Sequence, residues 1–447
     1  MQRRHPTNRS AAASDPTRRE AIGWFTAASL GLVAGCSRGE NTDESSQSVA
    51  PARDVPLRVA LVGTEGDAEA IRLAWSMRME QPLDIQILRS LRDGEGATEK
   101  IAAAIAETDV AIFPQYALGD IVRSEATVRF SEPTLANYDE QYGAPPPAVR
   151  NGMGSYGGAI YGVPLGATLF AVLCIEAEPS LNSWGDYHRW VEQLDGKVAE
   201  PTSEGWAASS FLNRCATTLQ RGWLFDRKSM SPELADDRYV QVLDQFSKTA
   251  SLYVGAPSDP TAIWKALQSG ELRGGIGFET SVTGPDPSTE QFEITVVSCP
   301  TESETERLYF DIAMPLAAVS QGCRQTDAAK QFIGWFAGDV SATNLRKQIE
   351  LGSDTRQPSE ASVEQPTPYA KWLTQQLETR RTVPPLALPG SERYYRALDR
   401  RVRECLGGKS SAADSLWAAS DDWEAITREM GRDQQGVSWR KAMGFGA

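Results

Sequence analysis

Alternating apolar and polar segments predict a repeated strand–helix unit near the start of the folded chain. Leu57–Val62, Leu83–Leu88 and Asp109–Phe113 are short apolar or alternating segments that predict strands. Between them, Asp67–Met79 and Thr98–Ala106 have apolar residues at helical spacing. Strands that alternate with helices in this way are joined by right-handed crossovers, so the pattern predicts a parallel sheet in an α/β fold.

The loops that leave these strands are the first candidates for a binding site. In open parallel sheets, ligands bind beyond the carboxyl ends of the strands. Thr64 and Glu65 follow the first predicted strand, and Tyr116 follows the third. We therefore expect these three side chains to line a cleft at that edge of the sheet.

Residues 1–35 have the pattern of an export signal. Five arginines lie ahead of the apolar run Ala21–Gly35, which ends directly before Cys36. The run is too short for a membrane-spanning helix, which needs about 20 residues. This order predicts a lipoprotein signal peptide, with Cys36 as the acylated residue. An ordinary secretory signal and a buried helix are the alternatives, and Thr17–Arg19 leaves open whether export uses the general or the twin-arginine route.

The next segment, residues 36–54, is polar and rich in serine. Such a sequence buries too little apolar surface to order itself, so we interpret it as a flexible tether. The rest of the chain contains no second apolar run of membrane length. We therefore expect the folded part to be held at a membrane only through the lipid on Cys36.

Composition and charge exclude several classes of function. The 447 residues are 41% hydrophobic and 23% charged, which is typical of a globular protein with two or three compact units. The net charge is -14, and it would be -17 without the basic signal peptide, so a nucleic-acid partner is not expected. Only two histidines are present, His5 and His188, which argues against a multi-histidine metal site and against histidine-assisted nucleophilic catalysis. We expect no metal and no cofactor.

Five cysteines remain once Cys36 is assigned to the lipid: Cys174, Cys215, Cys299, Cys323 and Cys405. None of them forms a CxxC pair, so zinc ribbons and thioredoxin-like sites are not expected. In an exported protein they could form one or two disulfides, or they could be buried free thiols.

Several motifs further along the chain resemble those of a known family. Gly157–Leu165 (GGAIYGVPL) runs into an apolar strand, and Asn182–Tyr187 (NSWGDY) opens a predicted helix. Ile263–Glu271 (IWKALQSGE) predicts a further helix. Two longer segments, Ala317–Phe336 and Tyr394–Met430, follow at the expected distances. In this order the motifs resemble the extracellular solute-binding proteins of ABC importers, in particular the sugar-binding class, family 1.

This resemblance implies a two-lobed periplasmic-binding-protein fold. Each lobe would be a parallel-type sheet flanked by helices, with the cleft between the lobes. Lobe one would contain residues 55–165 and 316–362, and lobe two residues 166–315 and 363–430. Residues 431–447 would form a C-terminal tail.

The resemblance also implies a function and a location. The protein would capture a small solute, with a carbohydrate as the expected ligand, and deliver it to an ABC importer permease without making or breaking a bond. It would be a monomer in the cell envelope, lipid-anchored outside the cytoplasmic membrane on the periplasmic side. A lipoprotein that keeps this fold for sensing or scaffolding is one alternative, and a secreted enzyme is the other.

The predicted ligand site combines the strand-end loops with positions suggested by the family. Its members are Thr64, Glu65, Tyr116, Thr168, Trp206, Glu279 and Arg356. The two carboxylates suit hydroxyl groups, because each accepts several hydrogen bonds, and the two aromatic rings offer flat apolar faces. The sequence departs from many sugar binders of the family, which carry tryptophan where this chain has Glu279–Ser281 and Leu308–Asp311.

Three further patterns are interpreted as structural. Gly407–Ser410 lacks the first glycine of a phosphate-binding loop, so it predicts a turn between helices. Ser155 lacks the first glycine of a nucleophile elbow, and His188 lies on a predicted helix. Tyr394 and Tyr395 diverge by about 100° on a helix, which favours packing over joint metal ligation.

Overall fold

The computed structural model describes residues 54–89, 97–175, 178–256, 258–280, 292–303, 307–349, 351, 356 and 366–445. The predicted signal peptide, Cys36 and all but the last residue of the predicted tether lie outside these residues.

The described strands are short. They are β1 (Leu57–Val62), β2 (Leu83–Leu88), β3 (Val110–Pro114), β4 (Ser155–Tyr156), β5 (Ala159–Ile160), β6 (Val163–Pro164), β7 (Ala171–Cys174), β8 (Val198–Ala199), β9 (Gly274–Gly277), β10 (Thr295–Ser298), β11 (Arg307–Leu308), β12 (Pro315–Val319) and β13 (Arg381–Thr382).

The described helices are concentrated between and after these strands. They are α1 (Glu65–Ser76), α2 (Ala97–Ala106), α3 (Leu118–Arg123), α4 (Glu132–Tyr142), α5 (Pro147–Met153), α6 (Trp184–Gln193), α7 (Ala207–Thr218), α8 (Asp237–Ala250), α9 (Pro260–Gln268), α10 (Thr326–Gly338), α11 (Thr343–Gln348), α12 (Pro368–Thr379), α13 (Ser391–Leu406), α14 (Ala412–Met430) and α15 (Arg432–Ala442).

Side-chain caps mark where several helices begin. Thr64 caps α1 by accepting a hydrogen bond from the backbone N–H of Asp67, whose carboxylate accepts the N–H of Thr64 in return. Ser183 and Ser411 cap α6 and α14 in the same position. These hydroxyls satisfy backbone N–H groups that a helix start leaves without a partner.

The first sheet has the order β2-β1-β3-β12-β6. Strands β1, β2 and β3 are parallel, as the strand–helix alternation predicts, with Val59 opposite both Ile85 and Val110. Helices α1 and α10 cover the sheet with an aromatic core in which Trp75 packs against Phe332 and Trp335. Burial of these rings is the main driving force for forming this sheet and its helices.

The second sheet has the order β10-β7-β9-β8. Helices α7, α8, α13 and α14 pack against one another beside it. This helical layer includes a stacked pair of rings, Phe225 and Trp423, with centroids 5.0 Å apart. Two α/β sheets flanked by helices confirm the predicted fold class.

Both sheets are mixed, because each contains a strand that begins beside the carboxyl end of its neighbour and therefore runs antiparallel to it. Strand β12 begins at Pro315, opposite Pro114 at the end of β3, and therefore runs antiparallel to β3. Strand β7 begins at Ala171, opposite Gly277 at the end of β9, and runs antiparallel to β9. The expectation of parallel-type sheets therefore holds for β1–β3 and for β8 with β9, and the entering strands are the exceptions.

The C-terminal residues add structure beyond the predicted pair of closing helices. Within residues 431–447, Arg432–Ala442 forms α15, whose Trp439 is buried against Phe225. The segment Gly407–Ser410 is a turn between α13 and α14, as predicted. Tyr394 and Tyr395 are both buried on α13, which agrees with a packing role.

Candidate functional site

Three aromatic rings form a platform at the carboxyl edge of the second sheet. Phe170 lies directly before β7 and Phe278 directly after β9, and the pairing of Ala171 with Gly277 brings them together. Their ring centroids are 5.9 Å apart and the rings are stacked. Trp206 completes the group, with its ring 6.4 Å from Phe170 and 5.9 Å from Phe278. We call Phe170, Trp206 and Phe278 the aromatic platform.

The position of Trp206 is set by a carboxylate on another helix. Asp399 of α13 accepts hydrogen bonds from the backbone N–H groups of Gly205 (3.1 Å) and Ala208 (3.2 Å), on either side of the tryptophan. Its side chain is 8% exposed and also pairs with Arg403. Gly205 has a φ of +81°, a conformation that favours glycine. The start of α7 is thus held in place, and the indole with it.

Glu279 lies at the edge of the platform, between elements of both sheets. Its Oε2 accepts a hydrogen bond of 2.6 Å from the hydroxyl of Thr367, the residue that caps α12. Burial raises the pKa of Glu279, while the Thr367 hydrogen bond and the charge of Lys347 on α11 oppose the rise. Next to it, the buried hydroxyl of Thr280 has no hydrogen-bond partner among the described residues.

The chain segments that connect the two sheets run beneath this site and are tied to one another. The hydroxyl of Tyr369 accepts the N–H of Leu169 (2.9 Å) and donates to its carbonyl (2.8 Å). The N–H of Thr168 points at the sulfur of Met314 (3.3 Å). The N–H of Tyr116 donates to the carbonyl of Ile312 (3.0 Å). These contacts join three strand-end segments at one place.

The structure brings some of the predicted site residues together. Trp206 and Glu279 both adjoin Phe278, and Thr168 lies two residues before Phe170. Thr168 and Tyr116 are buried, at 3% and 1% exposure, in the connecting segments below the platform.

The other predicted site residues are engaged elsewhere. Thr64 caps α1, and the neighbouring Glu65 pairs with Arg72 on the same helix. Arg356 is buried, donating to the carbonyl of Gly143 (2.6 Å) and pairing with Asp139 of α4. None of these contacts involves the aromatic platform.

Sequence reasoning missed Phe170, Phe278 and Thr367. The two phenylalanines are ordinary strand-end residues in the sequence, and nothing local shows that they face one another. Thr367 carries a usable signal, because a threonine followed by proline is typical of a helix start. That signal predicts a cap but not its contact with Glu279.

The chemistry of the site favours binding over catalysis. The cysteines Cys174, Cys215, Cys299, Cys323 and Cys405 are thiols that form no disulfide with one another. Burial raises the pKa of Cys174 to about 11 and that of Cys299 to about 12, so these thiols are protonated and poor nucleophiles at neutral pH. The Nδ1 of His188 lies 3.1 Å from the hydroxyl of Thr249, and its Nε2 lies 3.7 Å from the carboxylate of Glu192 on the same helix. Phe170 is buried, but the half-buried rings of Trp206 and Phe278, beside a carboxylate and hydroxyls, suit a ligand with apolar faces and hydroxyl groups.

Among the described residues, no group of three or more His, Cys, Asp or Glu side chains is placed to hold a metal ion. Within those residues, every helix is too short or too polar to cross a membrane.

Comparison with known proteins identifies the fold. No protein-family model matches this sequence, and no curated protein matches it. Among solved structures, an ABC transporter solute-binding protein from Agrobacterium vitis S4, with bound D-mannitol, matches 84% of this chain and 99% of its own, with a TM-score of 0.63 and 14% identity. This chain has the fold of the ABC transporter solute-binding proteins.

Two other solved structures with this fold match equally broadly. The sugar-binding protein MalE from Xanthomonas citri has a TM-score of 0.62 at 13% identity, over 84% of this chain and 98% of its own. An ABC substrate-binding protein from Listeria monocytogenes, in complex with cycloalternan, has a TM-score of 0.62 at 13% identity, over 85% and 99%. The predicted two-lobed solute-binding fold is confirmed by these matches.

Proposed function

We propose that this protein is an extracytoplasmic solute-binding lipoprotein that captures a carbohydrate or polyol between two lobes and delivers it to an ABC importer. The observation that carries the proposal is the aromatic platform beside Glu279, at the junction of two sheets in a solute-binding fold. Ring faces stack on the C–H faces of sugars, and a carboxylate accepts hydrogen bonds from hydroxyls. The neighbours with bound D-mannitol and cycloalternan support a ligand of this class.

In this proposal, each lobe is built on one of the two sheets. Lobe one would contain residues 55–165 and 316–362, and lobe two residues 166–315 and 363–430. Tyr369, Thr168 and Met314 lie where the chain passes between them. Rotation about these connecting segments would close the cleft over a ligand that contacts both lobes.

A thermal-shift screen tests the proposal directly. D-mannitol, ribitol and maltose would be compared with a panel of amino acids on the same protein. A ligand that binds only the native state raises the melting temperature, so at least one of the three carbohydrates should do so while the amino acids do not. Stabilisation by amino acids alone would refute the carbohydrate assignment. Small-angle scattering with the stabilising compound should then show a smaller radius of gyration.

Glu279 should make ligand binding depend on pH. Because its folded pKa is raised, the carboxyl becomes protonated at a pH above the ordinary range of a glutamate. Protonation weakens it as an acceptor, so affinity should fall as the pH is lowered through that window. Calorimetry at a series of pH values should show this decrease for the wild type.

Two variants isolate this effect. Glu279→Gln should bind more weakly at neutral pH and lose the pH dependence, whereas Glu140→Gln, at an exposed position on α4, should behave as the wild type. In the wild type, the free energy of unfolding should change with pH in the direction opposite to that of the affinity. The native state holds the proton on Glu279 more tightly than the unfolded chain does, so the native state is destabilised as the pH rises through the window. An unaltered pH profile in Glu279→Gln would exclude Glu279 from the site.

Cys36 should carry the lipid anchor. Mass spectrometry of the mature protein should find an N-terminus at an acylated Cys36, because the residue follows the apolar run directly. Cys36→Ala should abolish acylation, whereas Cys323→Ala should leave it intact. A mature chain that begins elsewhere, with Cys36 unmodified, would contradict the lipoprotein assignment.

A further inference from the structure

A groove of about 760 Å³ lies on the outer face of the first sheet's helical layer, between α4 and α10. Three amide side chains line it: Asn137 and Gln141 from α4, and Gln331 from α10. All three residues are exposed. Its volume is within the range of about 300–1,000 Å³ that is typical of small-ligand sites. The groove shares no residue with the aromatic platform or with Glu279.

Two tyrosines supply the apolar part of this groove. Tyr138 is 3% exposed, and its hydroxyl donates to the carbonyl of Lys330 (2.7 Å), which fixes its ring between the two helices. Tyr142, one helical turn further along α4, is half-buried, with its ring centroid 6.5 Å from that of Tyr138. The groove therefore has the half-buried ring of Tyr142 along one wall, held by the buried Tyr138 behind it, and amides along its rim.

The charges around the groove are balanced. Arg78 is paired with Asp339 (3.1 Å), and the remaining charged residues, Asp327 and Lys330, have opposite signs. A neutral site does not favour a phosphate, a nucleic acid or a divalent cation. The walls belong to helices, so an extended peptide would find no strand edge to pair with.

We propose that this groove binds a neutral saccharide chain, at a site separate from the proposed ligand cleft. Each amide both donates and accepts, so it can bond two neighbouring hydroxyls of a sugar, and the half-buried ring of Tyr142 suits the C–H face of a sugar ring. The lining runs from Pro133 to Tyr142, roughly 13 Å along α4 at about 1.5 Å per residue, which is longer than a single sugar ring. The site would hold part of an oligosaccharide or polysaccharide.

The test needs a signal that reports on the groove alone. Full-length protein labelled with 3-fluorotyrosine gives a fluorine resonance for Tyr142, which Tyr142→Phe assigns. Maltohexaose, cellopentaose and xylohexaose would be titrated in turn to millimolar concentration. At least one of them should move the Tyr142 resonance to saturation.

Variants then separate the groove from the cleft. Asn137→Ala with Gln331→Ala should weaken that binding by at least about tenfold, because two hydrogen bonds are lost. Gln434→Ala, an exposed amide on α15, should not, and Trp206→Ala, in the cleft, should leave the titration unchanged. The proposal is overturned if none of the three saccharides moves the resonance, if the double variant binds as the wild type with an unchanged melting temperature, or if Trp206→Ala alone abolishes the effect.

Discussion

Replacing Arg214 with methionine should lower the free energy of unfolding by about 3–5 kcal/mol, the cost typical of breaking a buried ion pair from one side. Arg214 on α7 and Glu200, directly after β8, are both essentially fully buried. They form two parallel hydrogen bonds, Nε to Oε1 at 3.0 Å and Nη2 to Oε2 at 2.6 Å. Among the described residues, the substitution would leave the buried carboxylate of Glu200 with only the hydroxyl of Tyr253 as a hydrogen-bond partner.

Two aromatic rings pack against the guanidinium of Arg214, in addition to its hydrogen bonds with Glu200. Its central carbon lies 4.0 Å from the ring centroid of Trp184 and 4.4 Å from that of Phe246. Burial alone lowers the pKa of Arg214, but the charge of Glu200 and its hydrogen bonds outweigh burial and raise it. The arginine therefore stays charged in the core, and methionine removes this charge while keeping similar bulk.

Urea unfolding would measure the effect, and two further variants interpret it. Arg214→Met combined with Glu200→Gln removes both charges and should recover much of the loss, since no buried charge is left without a partner. Arg393→Met breaks an exposed pair with Glu429 and should cost less than about 1 kcal/mol. A cost this small for Arg214→Met would show that the buried pair contributes little to stability.

Replacing Trp206 with alanine should weaken ligand binding by about 1–3 kcal/mol, the range for an aromatic ring that stacks on a ligand. Phe170 and Phe278 would remain and the carboxylate of Asp399 would still hold the start of α7, so the loss should fall on the ligand and not on the fold. Calorimetry with whichever of D-mannitol, ribitol and maltose stabilises the protein most is the direct measurement.

Two further variants, each at a tryptophan, serve as controls. Trp206→Phe keeps a flat ring and should restore part of the affinity, whereas Trp417→Ala removes a ring that is 64% exposed on α14 and should have no effect. Unchanged affinity in Trp206→Ala, with an intact melting temperature, would remove this residue from the proposed site.

The predicted site was only partly accessible to sequence reasoning, and the reason differs from residue to residue. The sequence can indicate Trp206 and Glu279 as site residues because each lies in a loop next to a predicted helix or strand. Their joint position beside Phe170 and Phe278 depends on the pairing of β7 with β9, residues about a hundred positions apart. The family resemblance places Arg356 in the site, but its guanidinium bonds to Gly143 and Asp139, which no local pattern indicates.

The sequence by itself determined the early strands and helices and the class of fold. Periodicity and capping residues act over a few positions, so the sequence alone predicts β1, α1, β2 and α2 with ends that agree to within a few residues. Only the tertiary structure decided that the five described cysteines form no disulfide with one another, that β7 and β12 run antiparallel to their neighbours, and that Glu279 meets Thr367. Each of these depends on which distant segments come within a few ångströms of one another, and that is set by packing of the whole core and not by neighbours in the chain.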